Sequence, residues 1–510
     1  MNEEALASGP RGLDPRWLPL GVTTAGTFMS ILDNNVINVA LPTILKHFDA
    51  SLGQGQLVVT AYVMALAVVI PLSGFMGERI GMKRLYIFVL AAFAAGSALC
   101  GLAWNIESLV AFRVIQGLGG GMLQPLGMAI VFSMITPLER PRFVAILGMP
   151  VLLAPLIGPA LGGYLVEYVG WRWVFFINVP VGVINVFMVA RILKETQVKA
   201  ETRLDVMGVA FATLAFPSLL FAASRGTEIG WTSPVIILLV IAGVTSFGLF
   251  IRHELRHHDP MLKVRLYAAP MFRLAMFVQW IGIFSLFGLN VIIPLYLQRV
   301  HELSPSEAGR LLIPMGIVAF ITMNIAGKFY NRLGPRPIIM SGLGVMAVST
   351  LLWSLTTPGT SNLLILVLVS LRGLGLGMFG QFIQIVAYNT VKQEDMPRAT
   401  SLVTTGQRLT TAFSTAILSS VLVVGLTLTN APEGTSIAAG TAPIDDQQTA
   451  FRYVFYLMTV LSCIGIALAS RLRDEAVERQ HEKPVAGTTI ARASRAGPAT
   501  QPSEGGGSSS

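Results

Sequence analysis

Residues 74–84 read Gly74-Phe75-Met76-Gly77-Glu78-Arg79-Ile80-Gly81-Met82-Lys83-Arg84, and residues 327–336 read Gly327-Lys328-Phe329-Tyr330-Asn331-Arg332-Leu333-Gly334-Pro335-Arg336. Glycine, arginine, glycine and a basic residue recur at one spacing in both, each time after a long apolar run. Three more pairs keep the same chain order. Asn38 and Pro42 in the first apolar run match Asn290 and Pro294 in the ninth; Arg113 and Arg372 each precede a glycine run; Pro141-Arg142 is echoed by Pro397-Arg398. Together these matches predict two repeated halves, the parallel arrangement of a transporter that rocks about a central site.

Composition sets the medium. Of 510 residues, 53% are hydrophobic and 12% charged, about half the usual charged share. So few charges cannot cover a water-soluble surface. The apolar residues fall in blocks of about twenty, the length that crosses a hydrocarbon core as helix, and 50 glycines suit the small-residue packing of membrane helices. Spans are expected near 18–41, 57–76, 86–103, 109–132, 143–166 and 172–192, then 205–223 and 234–251, then 273–297, 307–329, 337–356, 362–387, 400–428 and 451–470. The expected fold class is all-α integral membrane, with 14 transmembrane helices in two six-helix pseudo-repeats flanking an inserted pair. The expected division is an N-terminal segment 1–17, a six-helix bundle 18–192, basic linkers with the inserted helices 193–272, a second bundle 273–470 and a disordered tail 471–510.

A net charge of +9 raises the question of nucleic acid, but its distribution answers it. With the N-terminus inside, basic residues such as Arg79, Lys83, Arg84, Arg140, Arg142, Arg191, Arg252, Lys263, Arg332, Arg336 and Arg398 gather in inside loops. The outside loops hold only Lys46, Arg172, Arg225, Arg299, Arg310 and Arg452. That is the positive-inside asymmetry, so both termini are expected in the cytoplasm of a plasma (inner) membrane protein. Cys100 and Cys463 lie in apolar runs and read as two buried thiols with no disulfide framework. The first apolar run continues as a full span and lacks a small-residue cleavage site, so no cleavable signal peptide is expected.

At these residues the chain resembles the major facilitator superfamily, specifically its fourteen-helix drug:proton antiporters of the EmrB/QacA type. Residues 32–42, Leu-Asp-Asn-Asn-Val-Ile-Asn-Val-Ala-Leu-Pro, are similar to that family's first-helix signature. Gly74, Glu78, Arg79, Gly81, Lys83 and Arg84 resemble the superfamily's gating loop, and Arg113-Val114-Ile115-Gln116-Gly117 its fourth-helix motif. Gly148, Pro155, Gly158, Pro159, Gly162 and Gly163 resemble the fifth-helix antiporter motif; Trp171 to Pro180 is similar to the stretch that opens the sixth helix. Glu78 stands where the loop motif usually has Asp, and Met82 where it is often basic. Residues 307–329 offer only Glu307 at the edge and Asn324 inside, whereas relatives that carry divalent cations have an added acid there.

The resemblance implies proton coupling at Asp33, the only acidic residue placed deep within a span. A carboxylate there must be paired, hydrated or protonated; a structural ion pair or an aspartate reaching the outer surface is the plainer reading. Arg113 is its expected partner, the alternative being an arginine that snorkels to the helix end. Arg372 and Arg408 read as weaker candidates that brace helices, although Arg408 resembles a family arginine. The glycines and prolines of span 5 are expected to make a tight, bendable contact that seals the halves against proton leak. Phe28, Met29, Asn38, Tyr62, Gln116, Met149, Gln279 and Asn290 are candidates for lining a substrate cavity, with helix–helix hydrogen bonding or core packing equally open to each.

Two motifs read as coincidences. His253-Glu254-Leu255-Arg256-His257 spells a zinc-protease pattern in what reads as a solvated basic linker, without a buried helix or third ligand; Gly375 to Gly380 matches a dinucleotide fingerprint inside a span with no strand before it. No metal and no cofactor are therefore expected, and the proton gradient is the energy source. The expected function is proton-coupled antiport of lipophilic or amphipathic small molecules, multidrug efflux by alternating access, by a non-enzyme. The expected partners are that substrate, protons and membrane lipid, with no nucleic acid. A monomer is expected, and whether an outer adaptor docks is open, since the loop near 429–450 offers no strong docking helix. A dedicated exporter of an endogenous lipid or metabolite is the alternative. An intramembrane enzyme or a channel fits less well: all six histidines are placed in loops or tails, and a single-chain repeat makes an oligomeric pore unnecessary.

Overall fold

The computed structural model describes residues 16–196, 198, 205–429, 437 and 441–473. Most of the N-terminal segment, most of the tail and part of the loop near 429–450 lie outside the described residues. Among the described residues the chain is helical throughout. The first half comprises α1 (Trp17–Phe48), α2 (Leu52–Val69), α3 (Leu72–Ile80), α4 (Met82–Gly101), α5 (Ile106–Met134), α6 (Arg140–Leu147), α7 (Met149–Tyr164), α8 (Trp173–Phe176) and α9 (Asn178–Ile192). The inserted pair is α10 (Val206–Ile229) and α11 (Pro234–Arg256). The second half comprises α12 (Pro270–Arg299), α13 (Pro305–Leu333), α14 (Pro335–Ser354), α15 (Asn362–Phe379), α16 (Phe382–Asn389), α17 (Met396–Leu428) and α18 (Ile444–Ala469).

Twelve helical stretches are long and apolar enough to cross a membrane, and the number rises to 14 if each of two bent pairs is one span. One pair is α2 and α3, bent by 54°; Pro71, between them, has no N–H to carry the ladder across. The other joins Arg140–Pro155 to Ile157–Val169 at 45°, where Pro150, Pro155 and Pro159 interrupt the helix. This is a multi-pass membrane protein. Its perimeter is apolar, as hydrocarbon requires: α13 exposes Ile313, Ile317, Ile321, Ile325 and Phe329, one per turn along a single face.

Helix ends follow from local chemistry. Ser51 with Gln54 and Ser304 with Glu307 form reciprocal capping boxes at the starts of α2 and α13. Gly81 (φ 99°) and Gly334 (φ 78°) end α3 and α13 at equivalent points of the two repeated loops, in a conformation that favours glycine. The inserted pair packs on itself and against α2 and α17, so it sits where one helix of each half meets.

Three expectations need correction. Cys463 is exposed and only Cys100 is buried, because α18 turns residue 463 to the perimeter. Helix α11 continues through Arg256, so the segment read as a solvated linker begins as helix and its Glu254 is fully buried. His47 and His253 accordingly lie in the last turns of α1 and α11, not in loops. The glycine-rich segment of α15 is close packing as expected: a Cβ on Gly375 would lie 2.6 Å from the Gly342 carbonyl, and one on Gly377 2.4 Å from that of Ala319.

Candidate functional site: a buried carboxylate network and a cross-half clasp

Asp33 sits mid-way along α1 with 2% of its surface exposed. Helix α5 supplies its partners because Arg113 and Gln116 are one turn apart and share a face. Close approach of α4 and α5 makes this possible: a Cβ on Gly96 would lie 2.6 Å from the Gln116 Cα. Arg113 Nη1 donates to Asp33 Oδ2 at 2.6 Å and to Gln116 Oε1 at 2.8 Å. Gln116 Nε2 donates to Asp33 Oδ1 at 2.9 Å and to Ser97 at 2.6 Å. Asn178, at the start of α9, donates to Asp33 Oδ1 at 2.7 Å. The Arg113 guanidinium lies 4.0 Å from the Tyr62 ring centroid, and its Nε donates to the Val58 carbonyl at 3.3 Å. Arg113 is therefore an interior group, with no surface exposed.

A carboxylate held by a guanidinium and two amides, away from water, is a high-stakes arrangement. Each partner stabilises the anion, and loss of any one leaves a buried polar group unpaired. Among the described residues the second half has no buried acid paired with Arg372. Arg372, also fully buried, donates to the Ser285 carbonyl at 2.7 Å and to Thr350 at 3.4 Å.

The two repeated loops meet the opposite halves. A Cβ on Gly74 would lie 2.5 Å from the Pro397 carbonyl and 2.7 Å from the Arg398 Cα. Beside it, Glu78 accepts from Arg398 Nη2 at 2.9 Å, and Arg398 also reaches Asp259 at 2.6 Å and the Pro260 carbonyl at 2.8 Å. Ser73 and Ser401 share a hydrogen bond of 2.7 Å. The equivalent contact in the second loop sets Gly327 against Pro141, with Asn331 donating to the Leu138 carbonyl at 2.7 Å. Arg140 to Asn389 at 2.6 Å adds a further tie at the same arginine-rich end. Arg79 is exposed and makes none of these contacts; Lys83 donates to the Ala190 carbonyl, and the Lys83 and Arg84 amides are capped by Glu195.

The other expected residues disperse. Gly148 does touch the second half, its absent Cβ facing Gln381 at 2.7 Å and Met323 at 3.1 Å. Gly158 and Gly162 instead lie against Asn35 and Val36 of α1, within the same half, Gly163 faces open space, and Pro155 and Pro159 are exposed. Tyr62 and Gln116 belong to the Asp33 network. Met29 packs in the core, Phe28 and Met149 are half-buried, and Asn38 and Asn290 are exposed. Gln279 is buried with no partner for its amide among the described residues. None of these eight lines the cavity of about 540 Å3 between the inserted pair, α12 and α17; its walls include Phe216, Phe247, Tyr267, Trp280, Phe284 and Phe413. Those aromatics were missed because no motif marks them. Asn178 and Asp259 were also missed as partners, since each follows a break in the helix pattern.

The Major Facilitator Superfamily model matches residues 23–415. The chain is 31% identical over 406 residues to a "Multidrug resistance protein B homolog" of Mycobacterium tuberculosis, covering 79% of this chain and 75% of that one. It is 34% identical over 324 residues to the "Multidrug export protein EmrB" of Escherichia coli, 63% of each. Among solved structures it superposes on the human organic anion transporter MFSD10 with a TM-score of 0.65 at 16% identity, over 90% of this chain and 100% of that one, a likeness of fold. With these matches and the repeated loops clasped across two helical halves, the chain belongs to the Major Facilitator Superfamily of membrane transporters.

Proposed function

We propose that this transporter exports lipophilic or amphipathic small molecules in exchange for protons, by alternating access. The observation that carries the reading is the buried Asp33–Arg113 pair, an ionisable group at membrane depth with a switchable partner. Asp33 carries the proton, Arg113 holds the empty carboxylate, and cargo and proton each lower the other's affinity. Each bent pair counts as one span, giving 14, and the arginine-rich end with both termini faces the cytoplasm of the inner membrane. The Glu78–Arg398 clasp then closes the cytoplasmic side, and the loop from Gly74 to Arg84 is the gate. Asn38 and Asn290, polar and exposed at membrane depth, face water between the halves. The names of the multidrug relatives support varied apolar cargo. The protein works as a monomer on the proton gradient with no cofactor.

A lipophilic cationic dye in proteoliposomes, driven by an imposed pH gradient, tests this. Gradient-driven movement is expected in wild type and absent in a folded Asp33→Asn variant; undiminished proton-driven transport by that variant would refute the mechanism. A dedicated lipid exporter is favoured by one observation, the aromatic cavity beside the inserted pair. A lipid retained there through purification, with no dye transport, would select that reading.

A further inference from the structure

The cytoplasmic-facing base of the inserted pair holds a cluster that the transport reading does not use. Asp205 is the N-cap of α10, 4% exposed; its Oδ1 accepts from the Gly208 amide at 2.8 Å and pairs with His253 Nε2 at 2.7 Å. Its Oδ2 is buried and has no partner among the described residues. His257, one turn beyond His253, brings a ring nitrogen to the same place: one donor atom from each of Asp205, His253 and His257 lies within 4.8 Å of the others. Beside them Glu254 is fully buried; its Oε2 accepts from the Leu262 amide at 2.9 Å, and its Oε1 is a second orphan.

The two orphan oxygens face one gap. A Cβ on Gly208 would lie 2.4 Å from Asp205 Oδ2 and 3.1 Å from Glu254 Oε1, so the glycine keeps that gap open. Two buried carboxylate oxygens facing one gap, without partners among the described residues, make an arrangement that a cation relieves. Two imidazoles with carboxylate oxygen suit a borderline ion of the zinc class, not magnesium or calcium, which take oxygen ligands alone. Bond lengths of about 2.0–2.1 Å to nitrogen require the three donor atoms to draw together on binding.

We propose that Asp205, His253 and His257, with the buried Glu254 carboxylate beside them, form a binding site for one transition-metal dication of the zinc class. The protease reading of the same motif does not return, because the Glu254 carboxylate is tied to the Leu262 amide and walled in. The site's position gives it a structural task. Residues 257–262 leave the cluster and go directly to the gate: two residues beyond His257, the Asp259 carboxylate and the adjacent Pro260 carbonyl hold Arg398, the partner of Glu78. A bound ion fixes the loop that holds the gate arginine, so it strengthens the closed clasp.

Full-length protein freed of any polyhistidine tag is titrated in detergent with Co2+ and then Zn2+. One equivalent of Co2+ is expected to give visible ligand-field bands, lost on adding one equivalent of Zn2+. Zn2+, but not Mg2+, should raise the unfolding temperature. Asp205→Asn and His253→Gln should each weaken binding at least tenfold, while His258→Gln, on the exposed neighbouring side chain, should not. Gly208→Ala serves as a variant that keeps every donor and fills the gap; it should also weaken binding while eluting as wild type. Binding only at millimolar metal, or tight binding unchanged in the Asp205, His253 and Gly208 variants, would overturn the site.

Discussion

Arg372 donates to the main-chain carbonyl of Ser285 at 2.7 Å, at the two positions where the first half sets Arg113 against the carboxylate of Asp33. The repeat has kept the buried arginine in both halves and the acid in one. A guanidinium bound to a carbonyl and a hydroxyl braces α12, α14 and α15 but has no proton to exchange.

Substituting each arginine by methionine separates the two roles. Arg113→Met leaves Asp33 without its cation and should abolish gradient-driven transport, at a stability cost of roughly 3–5 kcal/mol for a broken buried pair. Arg372→Met exchanges a buried, unpaired cation for a side chain of similar length. It should be close to neutral in unfolding midpoint and should keep proton coupling, measured in the same dye assay. Equal loss of coupling in both variants would mean that Arg372 takes part in the proton cycle.

The clasp makes a second prediction. Glu78 and Arg398 are both buried, and the Gly74 backbone touches that of Pro397 and Arg398. Glu78→Gln should leave Arg398 with the Asp259 carboxylate and the Pro260 carbonyl as partners, and Gly74→Ala should force backbone apart from backbone. Either should lengthen the distance between spin labels at the exposed positions Arg79 and Arg332, shifting the population toward an open arginine-rich end. Gly163→Ala, where a Cβ meets nothing, should leave that distribution unchanged.

Much of this was legible in the sequence, and the exceptions share a cause. The repeated loops could be read because glycine at a close approach, and at a positive φ, has few substitutes: Gly74 and Gly327 mark where each half meets the other, Gly81 and Gly334 where each helix ends. Arg113 and Gln116 could be joined because helical periodicity fixes which side chains share a face. Asn178 could not be tied to Asp33, since it opens a helix after a break and periodicity does not carry across one. His253 was misplaced because hydropathy stops at the edge of hydrocarbon whereas the helix α11 runs on through polar residues. The span-5 glycines could be read as close packing, but which neighbour they pack against is tertiary: Gly158 and Gly162 chose α1. The aromatic cavity is tertiary in the same sense, assembled from an insertion and two helices of the second half.

The network also predicts a difference between binding and coupling. Asp33 is ringed by Arg113, Gln116 and Asn178, whereas the aromatic cavity is walled by other helices and nearly without polar surface. If cargo binds in that cavity, Asp33→Asn should stop gradient-driven transport while the dye still binds, with an affinity that no longer changes with pH because asparagine fixes the neutral state.

Trp280 reports on the cavity directly. Its indole N–H is buried without a partner among the described residues, and a Cβ on Gly406 would lie 3.0 Å from that nitrogen. A volume of about 540 Å3 lies within the range that holds drug-sized molecules, roughly 300–1,000 Å3. A guest's apolar body can meet Phe247, Phe284 and Phe413 beside the Trp280 ring. Dye binding should therefore quench tryptophan fluorescence, and Trp280→Phe should remove most of that quenching. Gly406→Leu, which places a side chain in the space the guest needs, should weaken binding at least tenfold, about 1.4 kcal/mol. It should leave the spin-label distances across the Glu78–Arg398 clasp as they are. Dye affinity and quenching that survive both substitutions would move the cargo out of this cavity.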